Sequence, residues 1–156
     1  MPPAQWCGKI SLKDALLPPY TMHEQIPAPA AAATGEQTRP LRILVADDEP
    51  GLRLAISLFL RRRGHDVVEA ADAHEARRLT AEQSFDVALI DARMPGDGLR
   101  LLQELDASVG LGGRTALMTG DPGRGLDTAE LTGGRPFLSK PFDLHAAAAL
   151  LEGLGG

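Results

Sequence analysis

The 156-residue sequence contains a single cysteine, only 4% aromatic residues and no apolar run near the roughly 20 residues of a membrane span. Cys7 alone can form neither an internal disulfide nor a Cys-based zinc site, and this composition suits a reducing cytoplasm. The first residues have no basic region followed by an apolar one, so we do not expect a signal peptide. A net charge of −5 argues against direct nucleic-acid binding through phosphate contacts. We therefore expect a cytoplasmic protein without a membrane segment.

Composition divides the chain near residue 40. Residues 1–40 hold seven of the twelve prolines, and the net charge of −5 belongs entirely to residues 41–156. The Pro/Ala-rich stretch 26–35 has nothing to bury and is typical of a linker. We predict a disordered N-terminal tail or linker over 1–40, with a docking peptide or a remnant of a larger architecture as the alternatives, and one folded domain over 41–156.

Residues 41–156 alternate short apolar runs with one-faced helical patterns. The predicted strands are 41–46, 66–70, 86–90, 114–118 and 135–139. The predicted helices are one with Leu52, Ile56, Phe59 and Leu60 on its apolar face, then 73–83, about 98–107, and one containing Leu144, Ala148 and Leu151. The glycine-rich stretch 121–134 predicts only a short or frayed helix at about 126–132. This alternation favours a flavodoxin-like, doubly wound α/β fold with a parallel sheet of order 2-1-3-4-5 and helices on both faces.

Acidic, hydroxyl and ammonium side chains follow the predicted strands. Asp47 and Asp48 follow the first strand, Asp91 the third, Thr119 the fourth and Lys140 the fifth. The carboxyl ends of parallel strands meet at one edge of the sheet, where such folds bind ligands. Three carboxylates at one edge repel each other unless a hard divalent cation such as Mg²⁺ neutralises them. The sequence therefore predicts a magnesium site at this edge.

A magnesium site with an open coordination position suits a phosphoryl group, whose oxygen charge the metal and a lysine neutralise. Asp91 stands alone at the end of the central strand and is the candidate nucleophile for an aspartyl phosphate. Lys140 is the single lysine in 41–156, beside 12 arginines. Since an ammonium and a guanidinium are not equivalent, this choice of residue also favours a specific role for Lys140.

Four segments together resemble the receiver domain of two-component response regulators, over about residues 41–154. They are Ile43–Pro50 (ILVADDEP), Leu89–Pro95 (LIDARMP), Leu117–Gly120 (LMTG) and Phe137–Phe142 (FLSKPF). The resemblance implies that Asp91 is the phosphoacceptor. It also implies that Asp47, Asp48 and Asp91 hold Mg²⁺ together with the backbone carbonyl of Arg93.

The resemblance further assigns a conformational switch. Thr119 matches the switch hydroxyl that moves onto the phosphoryl group, and Lys140 matches the ion-pair partner of that phosphoryl group. Phe137 matches the switch aromatic, and we expect its ring to be partly buried. Lys140–Pro141 matches a cis peptide bond of the family, which would direct the ammonium into the site. Arg93 and Asp121 occupy variable rim positions, where a pair between them would shield the phosphoryl group from water. The loop after Asp91 is one residue shorter than is usual in the family.

The function implied is a phosphoacceptor signalling module of a two-component or phosphorelay system. A histidine kinase or histidine phosphotransfer protein would donate the phosphoryl group to Asp91 with Mg²⁺. The chain would be a single-domain response regulator or the detached receiver of a hybrid kinase, since no output domain follows 156. It would not be an enzyme beyond self-catalysed phosphorylation from small donors and autodephosphorylation. The alternatives are an aspartate-nucleophile phosphohydrolase and a docking module that works without phosphorylation.

Several of these residues also have purely structural interpretations. Asp47 and Asp48 are suited to capping the first helix, and Phe137 to ordinary core packing. Arg61, Arg62 and Arg63 are typical of cations at a helix C-terminus. His23, His65, His74 and His145 have no metal-ligand spacing, and we expect all four to face solvent.

Overall fold

The computed structural model describes residues 39–108, 110–120 and 132–156. The described elements are β1 Arg42–Ala46, α1 Pro50–Arg62, β2 Asp66–Ala70, α2 Ala73–Glu82, β3 Val87–Asp91, α3 Gly98–Asp106, β4 Thr115–Thr119, β5 Phe137–Ser139 and α4 Leu144–Gly155. The predicted order of strands and helices is therefore confirmed, except that the helix expected at 126–132 lies outside the described residues.

The five strands form one parallel sheet in the order β2-β1-β3-β4-β5, as predicted. Ala46 at the end of β1 is level with Ile90, one residue before the end of β3. Asp91 is level with Met118, and Thr119 with Ser139. This register brings the residues that follow the strands to one edge of the sheet.

Helices cover both faces of the sheet because the central strands are apolar on both sides. In β1, Ile43 and Val45 pack with α1 and α4, whereas Leu44 and Ala46 pack with α2 and α3. The five residues of β3 and the five of β4 are all buried. The edge at which the strands end is thus carried by a rigid two-sided core.

Local signals fix the ends of the helices. α1 begins with Pro50, whose ring fits the first helical turn, and its last turn carries Arg61 and Arg62 as predicted. Gly64 follows with φ +97°, a backbone conformation that glycine adopts without strain. The side chain of Asp72 accepts a hydrogen bond from the backbone N–H of Glu75 and so caps α2.

The bounds of β2 are those predicted, whereas the other strands differ from the predicted bounds by one or two residues. β3 begins at Val87 rather than at residue 86; just before it, the Asp86 backbone N–H donates to the Arg42 carbonyl and the Asp86 carboxylate accepts the Arg42 backbone N–H, both at 2.8 Å. β3 ends on Asp91 itself. β5 comprises only Phe137–Ser139, two residues shorter at its start than predicted.

The expectation that the histidines face solvent is wrong for His65. His65 is buried, its Nδ1 accepts the backbone N–H of Leu41 at 3.2 Å, and its Nε2 lies 2.9 Å from a Glu152 carboxylate oxygen. Residue spacing gave no sign of this because both partners lie far away in the chain. His74 and His145 are exposed as expected, and His23 lies outside the described residues. None of the described helices combines the length and apolar character needed to cross a membrane.

Candidate functional site

Three aspartates meet at the carboxyl edge of the sheet. Asp47 follows β1 directly, Asp48 follows Asp47, and Asp91 is the last residue of β3. Each offers a carboxylate oxygen, and these three oxygens lie within 4.8 Å of one another. Asp47 and Asp91 are buried whereas Asp48 is exposed, so the cluster opens to solvent on the side of Asp48. The sequence prediction that these acids converge is therefore confirmed in their geometry.

Lys140 lies against the same cluster. Its Nζ donates to Asp47 Oδ2 at 2.8 Å and to Asp91 Oδ2 at 3.3 Å, and only 18% of its side chain is exposed. The peptide bond between Lys140 and Pro141 is cis, as the resemblance implied. One ammonium is therefore hydrogen-bonded to two buried carboxylates, and the three carboxylates together with Lys140 carry a net negative charge.

Burial and charge shift the ionisation of this group. Burial raises the pKa of Asp91 above its ordinary value, and the neighbouring Asp47 carboxylate adds to this rise. The Arg93 backbone N–H and the Lys140 ammonium oppose the shift without cancelling it. Burial by itself would lower the pKa of Lys140, but Asp47 and Asp91 outweigh burial and raise it, so Lys140 is a cation at neutral pH.

The acids that follow β1 do not cap α1. The N-cap residue is Glu49, whose side chain makes no capping hydrogen bond. Asp47 Oδ1 instead accepts the backbone N–H of Glu49 at 2.8 Å, while its other oxygen accepts from Lys140. The capping interpretation of Asp47 and Asp48 is thus not the one that the structure adopts.

Two further predicted site residues, Thr119 and Arg93, lie beside the cluster. Thr119 is the buried last residue of β4, and its carbonyl oxygen accepts the backbone N–H of Lys140 at 2.7 Å. The backbone N–H of Arg93 donates to Asp91 Oδ1 at 3.1 Å. Phe137 begins β5 with 38% of the residue exposed, so it is partly buried, as expected. Asp121, the predicted rim partner of Arg93, lies outside the described residues.

Two neighbours of the site were not found from the sequence. The Arg53 guanidinium donates to the main-chain oxygen of Asp47 at 2.6 Å. Gly98, the first residue of α3, lies so close to the main-chain oxygen of Asp91 that a Cβ would overlap it. The short loop before Gly98 turns through positive φ at Gly96 and Asp97. A glycine after a tight loop was the available signal for Gly98, whereas one arginine among twelve gave none for Arg53.

The donor set fits a hard divalent cation. Asp47, Asp48 and Asp91 supply only oxygen atoms, and the open side at Asp48 leaves room for water. Burial of two of these carboxylates is unfavourable unless cations neutralise them, and Lys140 neutralises only part of their charge. The cluster can therefore hold a metal ion such as Mg²⁺.

Comparison with known proteins agrees with this arrangement. The family described as "Response regulator receiver domain" matches residues 43–152. The sensory/regulatory protein RpfC of Xanthomonas campestris pv. campestris is 32% identical over 123 residues, which cover 76% of this chain and 16% of RpfC. The transcriptional regulatory protein TrcR of Mycobacterium tuberculosis is 32% identical over 116 residues, which cover 74% of this chain and 45% of TrcR. The chain thus spans less than half the length of either relative.

A solved structure provides the same comparison in three dimensions. The receiver domain of the sensor histidine kinase PA1611 from Pseudomonas aeruginosa PAO1 superposes with a TM-score of 0.67 at 28% identity. The match covers 75% of this chain and 98% of that one, and that structure has a magnesium ion coordinated in its active-site cleft.

Proposed function

Because this chain belongs to the response regulator receiver domain family of two-component systems, we propose that its Asp91 carboxylate accepts a phosphoryl group from a histidine kinase or a histidine phosphotransfer protein. The observation that carries the proposal is the position of Asp91 at the end of β3. It lies within 4.8 Å of two further carboxylates and 3.3 Å from the Lys140 ammonium. A carboxylate in that setting is both a nucleophile and part of a cation site.

In the proposed reaction an Asp91 carboxylate oxygen attacks the phosphorus of a phosphohistidine. The new O–P bond forms as the N–P bond breaks, and the electron pair of that bond returns to the imidazole of the donor. Lys140 is held against Asp91 before the reaction and neutralises charge on the phosphoryl oxygens without reorganising. The Arg93 backbone N–H fixes the rotation of the Asp91 carboxylate through Oδ1. These residues orient the acceptor and stabilise charge.

We assign the cation site to the carboxylates of Asp47, Asp48 and Asp91 with the backbone carbonyl of Arg93. When bound, Mg²⁺ supplies charge neutralisation and orientation for the phosphoryl oxygens. Asp47 is prepared for this role because its oxygens are already fixed by the Glu49 N–H and by Lys140.

The conformational response is assigned to Thr119 and Phe137. Thr119 ends β4, the strand beside β3, and its carbonyl oxygen accepts the Lys140 backbone N–H, which supports assigning its hydroxyl to a phosphoryl group on Asp91. Phe137 is level with Leu117 in the neighbouring strand and partly exposed, and an inward turn of its ring would follow movement of Thr119. Arg93 and Asp121 are proposed as rim residues that slow hydrolysis.

The proposed organisation places the receiver domain at 41–156 and a linker or functional arm at 1–40. The chain would act as a single-domain regulator or as the receiver part of a hybrid kinase. An aspartate-nucleophile phosphohydrolase would carry its acid/base carboxyl two residues after the nucleophile, and that position here is Arg93, whose backbone N–H already binds Asp91. We therefore favour stable transfer of the phosphoryl group over catalytic turnover.

The test is phosphorylation of the full chain by acetyl phosphate with Mg²⁺. We expect a mass increase of one phosphoryl group and a Phos-tag mobility shift, both abolished by EDTA and by Asp91→Asn. Asp97→Asn is the matched control, because Asp97 caps α3 in the same loop and its substitution should leave the modification intact. Phosphotransfer from candidate histidine kinases is then measured with the same variants.

Two results would contradict the proposal. One is modification that persists in Asp91→Asn, which would place the acceptor elsewhere. The other is steady hydrolysis of a phosphate ester by the wild-type chain without accumulation of a phosphorylated form, which would favour the phosphohydrolase.

A further inference from the structure

Asp48 is the member of the acidic cluster whose side chain is least fixed by packing. Its side chain is exposed, whereas Asp47 and Asp91 are buried among core residues. Packing therefore does little to fix the direction of the Asp48 carboxylate, and the direction depends on the backbone that carries it. The peptide group that sets this direction joins the carbonyl of Asp47 to the nitrogen of Asp48.

Arg53 holds that peptide group. Its Nη1 donates to the Asp47 carbonyl oxygen at 2.6 Å, from the first half of α1. The Asp47 backbone N–H in turn donates to Ala70 in β2 at 3.1 Å. Since both peptide groups of Asp47 are hydrogen-bonded to other elements, neither rotates freely, and the path of the chain into Asp48 is fixed.

Glu69 in turn holds Arg53. Arg53 Nε lies 3.4 Å from Glu69 Oε2, and the two side chains are only 18% and 26% exposed. The other oxygen of Glu69 lies 3.1 Å from Arg61 Nη1, and Arg61 also donates to the Val67 carbonyl at 2.8 Å. The Arg53 guanidinium is thus locked between β2 and the β1–α1 loop, and Glu69 neutralises its charge next to the cation site.

We propose that Arg53, locked by Glu69, is a positioning residue that orients Asp48 for cation binding. The inference rests on the proposed function only in taking the acidic cluster as the cation site. It goes beyond that function because Arg53 binds neither the metal nor the phosphoryl group and acts through the Asp47 carbonyl. Outer partners of this kind orient the metal ligands, and their loss commonly lowers metal affinity.

Two effects of Arg53 oppose each other, and this makes the experiment decisive. A cation near the cluster repels a divalent metal, so loss of its charge alone would tighten metal binding. Loss of its hydrogen bond to Asp47 would release the peptide group and weaken binding. The Glu69 carboxylate already offsets the charge, so we expect the loss of orientation to dominate.

The experiment measures Mn²⁺ binding to the full chain by electron paramagnetic resonance, with Mg²⁺ as competitor. Arg53→Met, which approximates the length of the side chain and removes its donors, should raise the Mn²⁺ Kd about tenfold. Arg53→Lys, which keeps the charge and an ammonium donor, should have a Mn²⁺ Kd between those of the wild type and Arg53→Met. Arg62→Met removes an equal charge from the exposed end of α1 and should leave the Kd within about twofold.

Glu69→Gln gives an independent variant, because it leaves Arg53 in place but removes the carboxylate that pairs with its guanidinium. It should also weaken Mn²⁺ binding, and the double variant with Arg53→Met should bind no more weakly than Arg53→Met alone, since the two residues act as one unit. With acetyl phosphate, Arg53→Met should need more Mg²⁺ for half-maximal rate yet approach the wild-type rate at saturation. General loss of structure would lower that saturating rate as well.

The outcomes separate the two proposals. Mn²⁺ affinity in Arg53→Met that equals or exceeds the wild-type affinity would overturn the positioning role while leaving the acidic site intact. Additive losses in the double variant would also overturn it. Absence of Mn²⁺ binding by the wild-type chain would overturn the cation site itself, and with it this inference.

Discussion

Replacing Asp91 with asparagine should make the metal-free protein more stable. Asp91 is only 4% exposed and lies with Asp47 and Asp48 in a cluster that one lysine serves. At an effective dielectric constant of about 20, a unit charge pair some 4 Å apart interacts by about 4 kcal/mol. Attraction by Lys140 at 3.3 Å and repulsion by Asp47 therefore nearly cancel at Asp91.

Two unfavourable contributions remain at Asp91. Repulsion by the exposed Asp48 is reduced by solvent to about 1 kcal/mol or less. Burial of the carboxylate adds a further penalty, of which the Arg93 backbone N–H recovers about 1 kcal/mol. A neutral asparagine side chain at this position would avoid both contributions while still accepting the Arg93 hydrogen bond. We expect Asp91→Asn to raise the free energy of unfolding by about 1–2 kcal/mol, or roughly 3–10 °C in Tm.

The assay is urea unfolding in EDTA at pH 7.5, followed by circular dichroism. Asp86→Asn is the control at the opposite end of β3: the Arg42 backbone N–H lowers the pKa of Asp86, so its substitution should be destabilising. Added Mg²⁺ should stabilise the wild type more than Asp91→Asn, because the metal binds the folded state and the variant has lost a ligand. An Asp91→Asn variant that is equally or less stable in EDTA would refute this account of the site.

The pH dependence of the same comparison has a definite sign. Burial raises the pKa of Asp91 in the folded state, so folding takes up a proton in the window between the unfolded and folded pKa values. Stability contributed by Asp91 is present below its unfolded pKa and is lost as pH rises through the folded pKa. The advantage of Asp91→Asn in EDTA should therefore shrink as the pH is lowered through that window.

Two further substitutions test contacts outside the acidic cluster. Gly98→Ala should lower the free energy of unfolding, measured by thermal unfolding, by about 1–3 kcal/mol, because the added Cβ overlaps the Asp91 carbonyl. Gly51→Ala is the control: it has open space around it in α1 and should be neutral or stabilising. Equal effects of the two substitutions would contradict the close approach at Gly98. Glu152→Gln should cost about 1–2 kcal/mol at pH 7, because the hydrogen bond from Arg63 lowers the pKa of Glu152. That contribution is present above the ordinary carboxyl pKa and is lost as pH falls through the lowered one, so a stability difference that persists in acid would refute it.

Much of the fold was predictable because its signals are local. Apolar runs of strand length, helical spacing and a glycine after an arginine run depend on residues that are neighbours in the chain. They gave the order of the elements and the sheet order 2-1-3-4-5, which the structure confirms. Strand boundaries were less accurate, since they depend on pairing with a neighbouring strand far away in the chain, as Val87 pairs with Ile43.

The sequence predicted which acidic residues lie at the candidate site, but it predicted only some of the contacts that these residues make. Acids that follow parallel strands must meet at one edge, and this rule is enough to bring Asp47, Asp48 and Asp91 together. Nothing in the spacing of residues indicated that Arg53 would bind the Asp47 carbonyl. The burial of His65 was likewise unpredictable, because exposure depends on which distant residues pack against a side chain.

The amino-acid sequence by itself determined the alternating strands and helices and the identities of the acids and the single lysine that follow the strands. Tertiary structure alone decided that Lys140 is shared between Asp47 and Asp91, although 93 residues separate it from the first and 49 from the second. It also decided that the Arg53 guanidinium donates to the Asp47 carbonyl and lies beside the Glu69 carboxylate. The physical reason is that periodicity acts over one turn or one strand, whereas hydrogen bonds and burial depend on distances that only the packed chain sets.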